Sequence, residues 1–347
     1  MLDQMENAGL ERLHFGQDAA TGMRAIIAIH STRRGPAIGG CRYIPYPREQ
    51  DAITDAIRLA QGMSYKAALA GLPHGGGKAV IIQPDRVVCR SDLMTAFGRM
   101  VDRLGGDYIA AMDSGTEVTD MDAIARSTPF VTCTSAFGDP SSWTALGVFE
   151  GIKASLQHRY GSDDLLGCHV TIQGLGHVGF ALARQLKAAG AELTVTDINP
   201  QRVQQACQLL GARCVAPEHI YSVAADLFSP CGLGGVINNE TLDQLQVKII
   251  AGSANNQLLA PGHGEQLHRS NILYAPDYLI NAGGLIFVAL QHTQAGQEKI
   301  QQQVLQIGST LKRLYAQAEL QQCATHRMAD QQAEAIIAQS AQLHPVA

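Results

Sequence analysis

Apolar positions recur along this chain with two periods. Over residues 51–69, Ile53, Ala56, Ile57, Ala60, Met63 and Ala67 fall at helical spacing, which predicts an amphipathic helix that Gly71 stops. Three glycines at 75–77 and Lys78 then lead into Ala-Val-Ile-Ile, a buried-strand signature. The glycines read as a tight loop ahead of that strand, where the backbone approaches something closely. Residues 25–30 (AIIAIH) predict a strand, and residues 34–42 (RGPAIGGCR) a Gly/Pro-punctuated loop or strand end. Residues 91–104 predict a helix, and 108–113 (YIAAMD) a strand that ends on a carboxylate. Strand and helix alternate, as in an α/β domain with much parallel sheet.

After a hinge-like stretch at 137–142 (FGDPSS) the pattern starts again. A long helix is predicted over 143–157 and a strand over 169–173, followed directly by Gly174, Leu175, Gly176, His177, Val178 and Gly179. A helix over 180–189 and a strand over 193–196 come next, and Asp197 falls 23 residues after Gly174. G-x-G-x-x-G alone is a weak signal. Between a strand and a helix, with an acid closing the next strand, it is a strong one for a dinucleotide. The pyrophosphate would lie on the helix N-terminus. The acid would accept from the adenosine ribose and repel a 2′-phosphate, so NAD is expected over NADP, although Arg202 lies close. Short strands at 226–230, 249–252 and 272–275 continue this sheet, with polar loops at 253–257 and 281–284, and residues 286–343 read as mostly helical. The expected fold is α/β with two domains and a cleft between them. A mixed, mostly parallel substrate domain covers 1–137, with a C-terminal helix at 326–347 packing back on it. A Rossmann-type domain covers 138–325.

Composition narrows the class. A chain of 347 residues, 46% hydrophobic, has the length for two full cores. A net charge of −5 with no basic block argues against nucleic acid. Eight cysteines without a C-x-x-C pair read as small buried residues or bystanders in a reducing cytosol. Twelve histidines without metal-ligand spacing predict no metal. The acidic first residues are not a signal peptide, and no apolar run is long enough for a membrane span, so a cytoplasmic protein is expected.

The candidate chemistry centres on Lys66, Lys78 and Asp113. Met63 and Lys66 share a helix face. Two lysines close together each favour the neutral form of the other, one way to make a lysine a base at neutral pH. Taken alone, the glycine loop and its lysines would read as solvated surface, and Asp113 as a helix N-cap. The stretch is not a phosphate-binding P-loop, because Leu72 and Ala79 stand where that motif needs Gly and Ser or Thr. His74 and His177 have no catalytic context and read as loop fillers.

With these pieces assembled, the chain resembles the leucine, valine, phenylalanine and glutamate dehydrogenase family. The resemblance runs through GMSYKAALAGLPHGGGKAVI, DSGTEVTDMD, QGLGHVGFALA, IIAGSANNQL and YAPDYLINAGGLI, in that order. It implies reversible, NAD-dependent oxidative deamination of an L-amino acid, here one with a branched-chain side chain (Leu, Val or Ile), by a homo-oligomer, dimer or octamer. It implies that Lys66 pairs with the substrate carboxylate, that Lys78 activates water and that Asp113 handles protons on nitrogen. Ile38, Gly39, Gly40, Met63, Ala111, Leu285 and Val288 would line the substrate pocket. Thr144, Asn255 and Asn256 would lie by the nicotinamide. Relatives that act on glutamate carry lysine at the place of Ile38. Met112 and Phe287 depart from the family's usual polar residues. The alternatives are an aromatic amino-acid dehydrogenase, a non-catalytic NAD-binding sensor and a 2-hydroxy-acid dehydrogenase.

Overall fold

The computed structural model describes residues 1–84 and 89–343, with side chains described as far as residue 340. The chain divides into two compact units. The first is Met1–Asp139 with Leu285–Gly296 and Ala333–Ala347, and the second is Pro140–Gly284 with Gln297–Gln332.

In the first unit β1 is Arg12–Asp18, β2 Met23–Ser31, β3 Ala37–Ile44, β4 Gly75–Ile82 and β5 Tyr108–Met112. Among the described residues they form one sheet in the order β1-β2-β4-β3-β5. β3, β4 and β5 are parallel, and β2 runs antiparallel to β1 and β4. The helix Glu49–Leu69 covers one face. Its Ala52, Ile53, Ala56, Ile57 and Ala60 pack with Ile26 and Ala28 of β2 and Val80 of β4.

Two expectations change here. The glycines at 75–77 are the first residues of β4, a strand paired on both sides, and not a loop before it. A Cβ on Gly76 would overlap the backbone of Ser64, so the helix lies directly on the strand. A Cβ on Gly77 would stand 2.8 Å from the Tyr108 ring. These glycines serve close packing. Residues 34–42 likewise become β3 from Ala37 onward. The strand β1 carries too little apolar alternation to be read from sequence, because it lies at the sheet edge with Phe15 55% exposed.

The segment Leu285–Gly296 belongs with the first unit, whereas the sequence pattern assigned it to the second. The Thr132 hydroxyl donates to the Val288 carbonyl at 3.5 Å. Every residue from Leu285 to Leu290 is buried, so this stretch shows no polar face from which its partner could be inferred. In the last helix, Thr325–Leu343, grouping with the first unit starts at Ala333. The Tyr65 hydroxyl donates to Glu334 at 2.6 Å and Arg34 donates to Ser340 Oγ at 3.2 Å. Residues 344–347 of the expected return lie outside the described residues.

In the second unit β6 is His169–Gln173, β7 Glu192–Thr196, β8 Arg213–Cys214, β9 Leu227–Pro230, β10 Ile249–Ile250 and β11 Leu273–Tyr274. Their order is β11-β10-β9-β6-β7-β8, with parallel pairing throughout. This is the doubly wound dinucleotide order, with its topological switch between β6 and β9. Cys207 and Cys214 form a disulfide, contrary to the expectation of unpaired cysteines. The helix Pro200–Leu210 folds back on β8 and brings their Cα atoms to 6.8 Å, a proximity the seven-residue spacing does not announce. Among the described residues no helix is long and apolar enough to cross a membrane.

His74, just before β4, is 3% exposed, and its Nδ1 has no hydrogen-bond partner. Burial, with His292 beside it, lowers its pKa to about 4. The unfolded chain therefore binds this proton more tightly than the folded one. The stability from keeping His74 neutral is complete above about pH 6.5 and is lost as the pH falls towards 4. A single group so shifted removes about 2 kcal/mol of stability between pH 7 and pH 5. Denaturant unfolding at the two pH values should show that loss, and His74→Gln should shrink it. An equally steep loss in the variant would assign the proton elsewhere.

Candidate active site

Side chains alternate across a strand, so register decides which residues of the first unit meet. On β4, Gly76, Lys78 and Val80 face the helix Glu49–Leu69. Ile38 is level with Gly76 and Arg42 with Val80, while Ile38 is level with Ile109 and Gly40 with Ala111. Ile38, Gly40, Arg42, Lys78, Ala111 and Asp113 therefore share one sheet face. The helix covers β2 and β4, and the part of this face over β3 and β5 carries the polar groups.

Lys78 Nζ lies 2.6 Å from Asp113 Oδ2, and the lysine side chain is only 7% exposed. Arg42 Nε donates to the same oxygen at 3.1 Å. Gly40 makes room, since a Cβ there would stand 2.6 Å from the Asp113 Cβ. Burial pushes the Asp113 carboxyl up, but Lys78, Arg42 and the Ser114 N–H together outweigh it and hold the group below the usual carboxylate range. Asp113 is not a helix N-cap. The following helix, Val118–Ala125, is capped by Glu117 in a capping box with Asp120.

The remaining first-unit residues take varied places. Met63 and Lys66 are half-buried on the last turns of the helix Glu49–Leu69. Ile38 has no exposed surface, and Ala111, Leu285 and Val288 are buried at 7%, 8% and 5%. The Gly39 carbonyl accepts from the Tyr108 hydroxyl at 2.6 Å. Met112 is 37% exposed and Phe287 is buried. Sequence reasoning missed Arg42, although its place two residues after Gly40 puts it on the same face as Gly40.

In the second unit β6 runs into the glycine turn. Gly174 has φ +96°, and a Cβ there would stand 2.6 Å from the Gly232 nitrogen. Gly176 opens onto free space and N-caps the helix His177–Ala188, which has no side-chain cap. His177 and Val178 thus begin this helix, and Gly179 faces the Gly174 carbonyl so closely that no Cβ fits. This cradle suits a pyrophosphate held by backbone N–H groups at a helix N-terminus. Asp197 directly follows β7, its side chain 5% exposed, accepting from the Leu175 N–H at 2.6 Å and the Asn199 N–H at 2.7 Å. Arg202 lies 3.8 Å from it. Asn255 Oδ1 accepts from Asn281 Nδ2 at 2.8 Å, and Asn256 is left-handed at φ +52°. The Thr144 hydroxyl donates to the Pro140 carbonyl at 3.2 Å and abuts Gly284.

Known proteins share the sequence and the fold of this chain. Residues 12–130 match the "Glu/Leu/Phe/Val dehydrogenase, dimerisation domain" family and residues 195–344 match "Glutamate/Leucine/Phenylalanine/Valine dehydrogenase". Leucine dehydrogenase of Geobacillus stearothermophilus is 46% identical over 95% of this chain and 91% of its own. Leucine dehydrogenase of Bacillus subtilis (strain 168) is 51% identical over 82% of this chain and 79% of its own. The crystal structure of L-tryptophan dehydrogenase from Nostoc punctiforme superposes with a TM-score of 0.89 at 41% identity, over 99% of this chain and 100% of that one. These matches, over nearly the whole chain, define the class: it is an oxidoreductase, an amino-acid dehydrogenase. The chain belongs to the Glu/Leu/Phe/Val dehydrogenase family, whose members generally depend on NAD or NADP.

Proposed function

We propose that this protein catalyses the reversible, NAD-dependent oxidative deamination of a branched-chain aliphatic L-amino acid to its 2-oxo acid and ammonia. The buried Lys78–Asp113 pair carries this reading. Lys66 holds the substrate α-carboxylate and so orients Cα. Loss of hydride leaves an electron-poor C–N carbon. Asp113, ionised at rest, accepts a proton from the substrate ammonium before hydride loss and returns it to the departing nitrogen, while Lys78 takes a proton from the water that adds to the carbon. The dinucleotide, when bound on residues 174–179 and Asp197, supplies the hydride acceptor. Thr144, Asn255 and Asn256 hold its nicotinamide end. A homo-oligomer fits the dimerisation-domain match. Release of ammonia and a 2-oxo acid from L-leucine with NAD tests the reaction, and a reverse reaction that proceeds without ammonia would replace it with hydroxy-acid chemistry.

NAD is favoured because two backbone N–H groups fix Asp197, so a 2′-phosphate would meet a carboxylate that cannot swing away. kcat/KM should be higher with NAD than with NADP, and Asp197→Ser should narrow the gap as Arg202 loses its counter-ion. Equal efficiency in the unaltered protein would show that Asp197 does not meet the ribose. The likeness to a tryptophan dehydrogenase supports a second reading, with an aromatic substrate at the same site.

A further inference from the structure

We infer that Arg42 is a positioning residue, the permanent counter-ion that holds Asp113 in place, and ionised whenever it carries no substrate proton, while Lys78 changes its protonation. The inference rests on the functional reading above and adds a residue to it. Arg42 bridges two carboxylates. Its Nε donates to Asp113 Oδ2 at 3.1 Å, and its Nη1 donates to Asp55 Oδ2 at 2.7 Å. The far end is itself anchored, because the Tyr46 hydroxyl donates to the same Asp55 oxygen at 2.6 Å. Arg58 approaches the other Asp55 oxygen at 3.5 Å from the exposed side. Arg42 is 19% exposed, Asp55 15% and Asp113 21%, so solvent screens these pairs weakly.

The chemistry gives this arrangement a purpose. A base must release its proton to work. If Lys78 were the sole partner of Asp113, its deprotonation would leave a buried carboxylate without a cation, which is costly. A guanidinium does not deprotonate in proteins, so Arg42 supplies a charge that stays constant through the cycle. Its planar fork reaches Asp113 and Asp55 at once, which a lysine ammonium on a flexible stem does not reproduce. Asp55 tempers the positive charge that Arg42 brings to the site.

This assignment predicts opposite effects from two substitutions. Removing a fixed positive charge raises the proton affinity of every group beside it. Arg42→Gln should therefore move the rising limb of the kcat/KM pH profile to higher pH, by roughly one unit for the loss of one like charge beside the base. Asp55→Asn removes the charge that tempers Arg42 and should move the same limb to lower pH. Arg42→Lys should restore part of the Arg42→Gln shift. Profiles are measured with L-leucine and NAD beside the unaltered protein and Lys78→Ala, with thermal unfolding to verify folding. Should Arg42→Gln not fold, Asp55→Asn carries the test alone. Opposite shifts support the inference. Limbs that stay put, or move the same way in both variants, while Lys78→Ala is inactive, would overturn the role of Arg42 and leave the reaction standing. An active Lys78→Ala would overturn the functional reading beneath it.

Discussion

Lys78→Ala is expected to lower kcat/KM for oxidative deamination by at least about a hundredfold, within the 10²–10⁴ range usual for a positioned base, while dinucleotide affinity stays near that of the unaltered protein. The two effects separate because Lys78 lies in the first unit and residues 174–179 in the second. The lysine is 5% exposed, so truncation opens a small cavity and removes one partner of Asp113. Arg42 still pairs with that carboxylate, which limits the loss of folding stability. Cofactor titration and steady-state kinetics on one purified preparation decide the matter. Activity within tenfold of the unaltered protein would exclude Lys78 as the base.

Glutamate is expected to be turned over negligibly, and leucine, valine and isoleucine well. The family resemblance sets a lysine, in members that act on glutamate, at the place of Ile38. Ile38 is fully buried on the sheet face that carries Lys78 and Asp113. Ala111, Leu285 and Val288 are buried as well and offer no cation. A second substrate carboxylate set among them would be unpaired, at several kcal/mol, which is a thousandfold or so in kcat/KM. Hydrocarbon side chains are distinguished only weakly, by roughly 10–200-fold per methylene. With Leu285 as a wall of the proposed pocket, phenylalanine should be poorer than leucine. kcat/KM across the five amino acids tests the ranking. Efficient glutamate turnover would sink the pocket assignment, whereas an aromatic optimum would keep the reaction and lengthen the pocket.

Sequence alone determined what is local. The strand, glycine turn, helix, strand and Asp197 of the second unit lie within residues 169–197, and each part constrains its neighbour through turn geometry and periodicity. The helix that carries Met63 and Lys66 was legible for the same reason. Tertiary structure decided what depends on register. Arg42 and Asp113 are 71 residues apart and meet only because β3 and β5 are parallel neighbours in one alignment, and a one-residue slip would turn each side chain to the other face. The glycines of β4 looked like a loop because glycine has no hydrophobic signature, and only the helix lying on them explains their place. The segment Leu285–Gly296 joined the first unit because its buried apolar run, Leu285–Leu290, is drawn to whatever core accepts it, and that run does not encode which. The fold class and the glycine turn with Asp197 were thus written in short-range pattern. The pairing of Arg42 with Asp113 was a product of strand order and register, which chain spacing does not reveal.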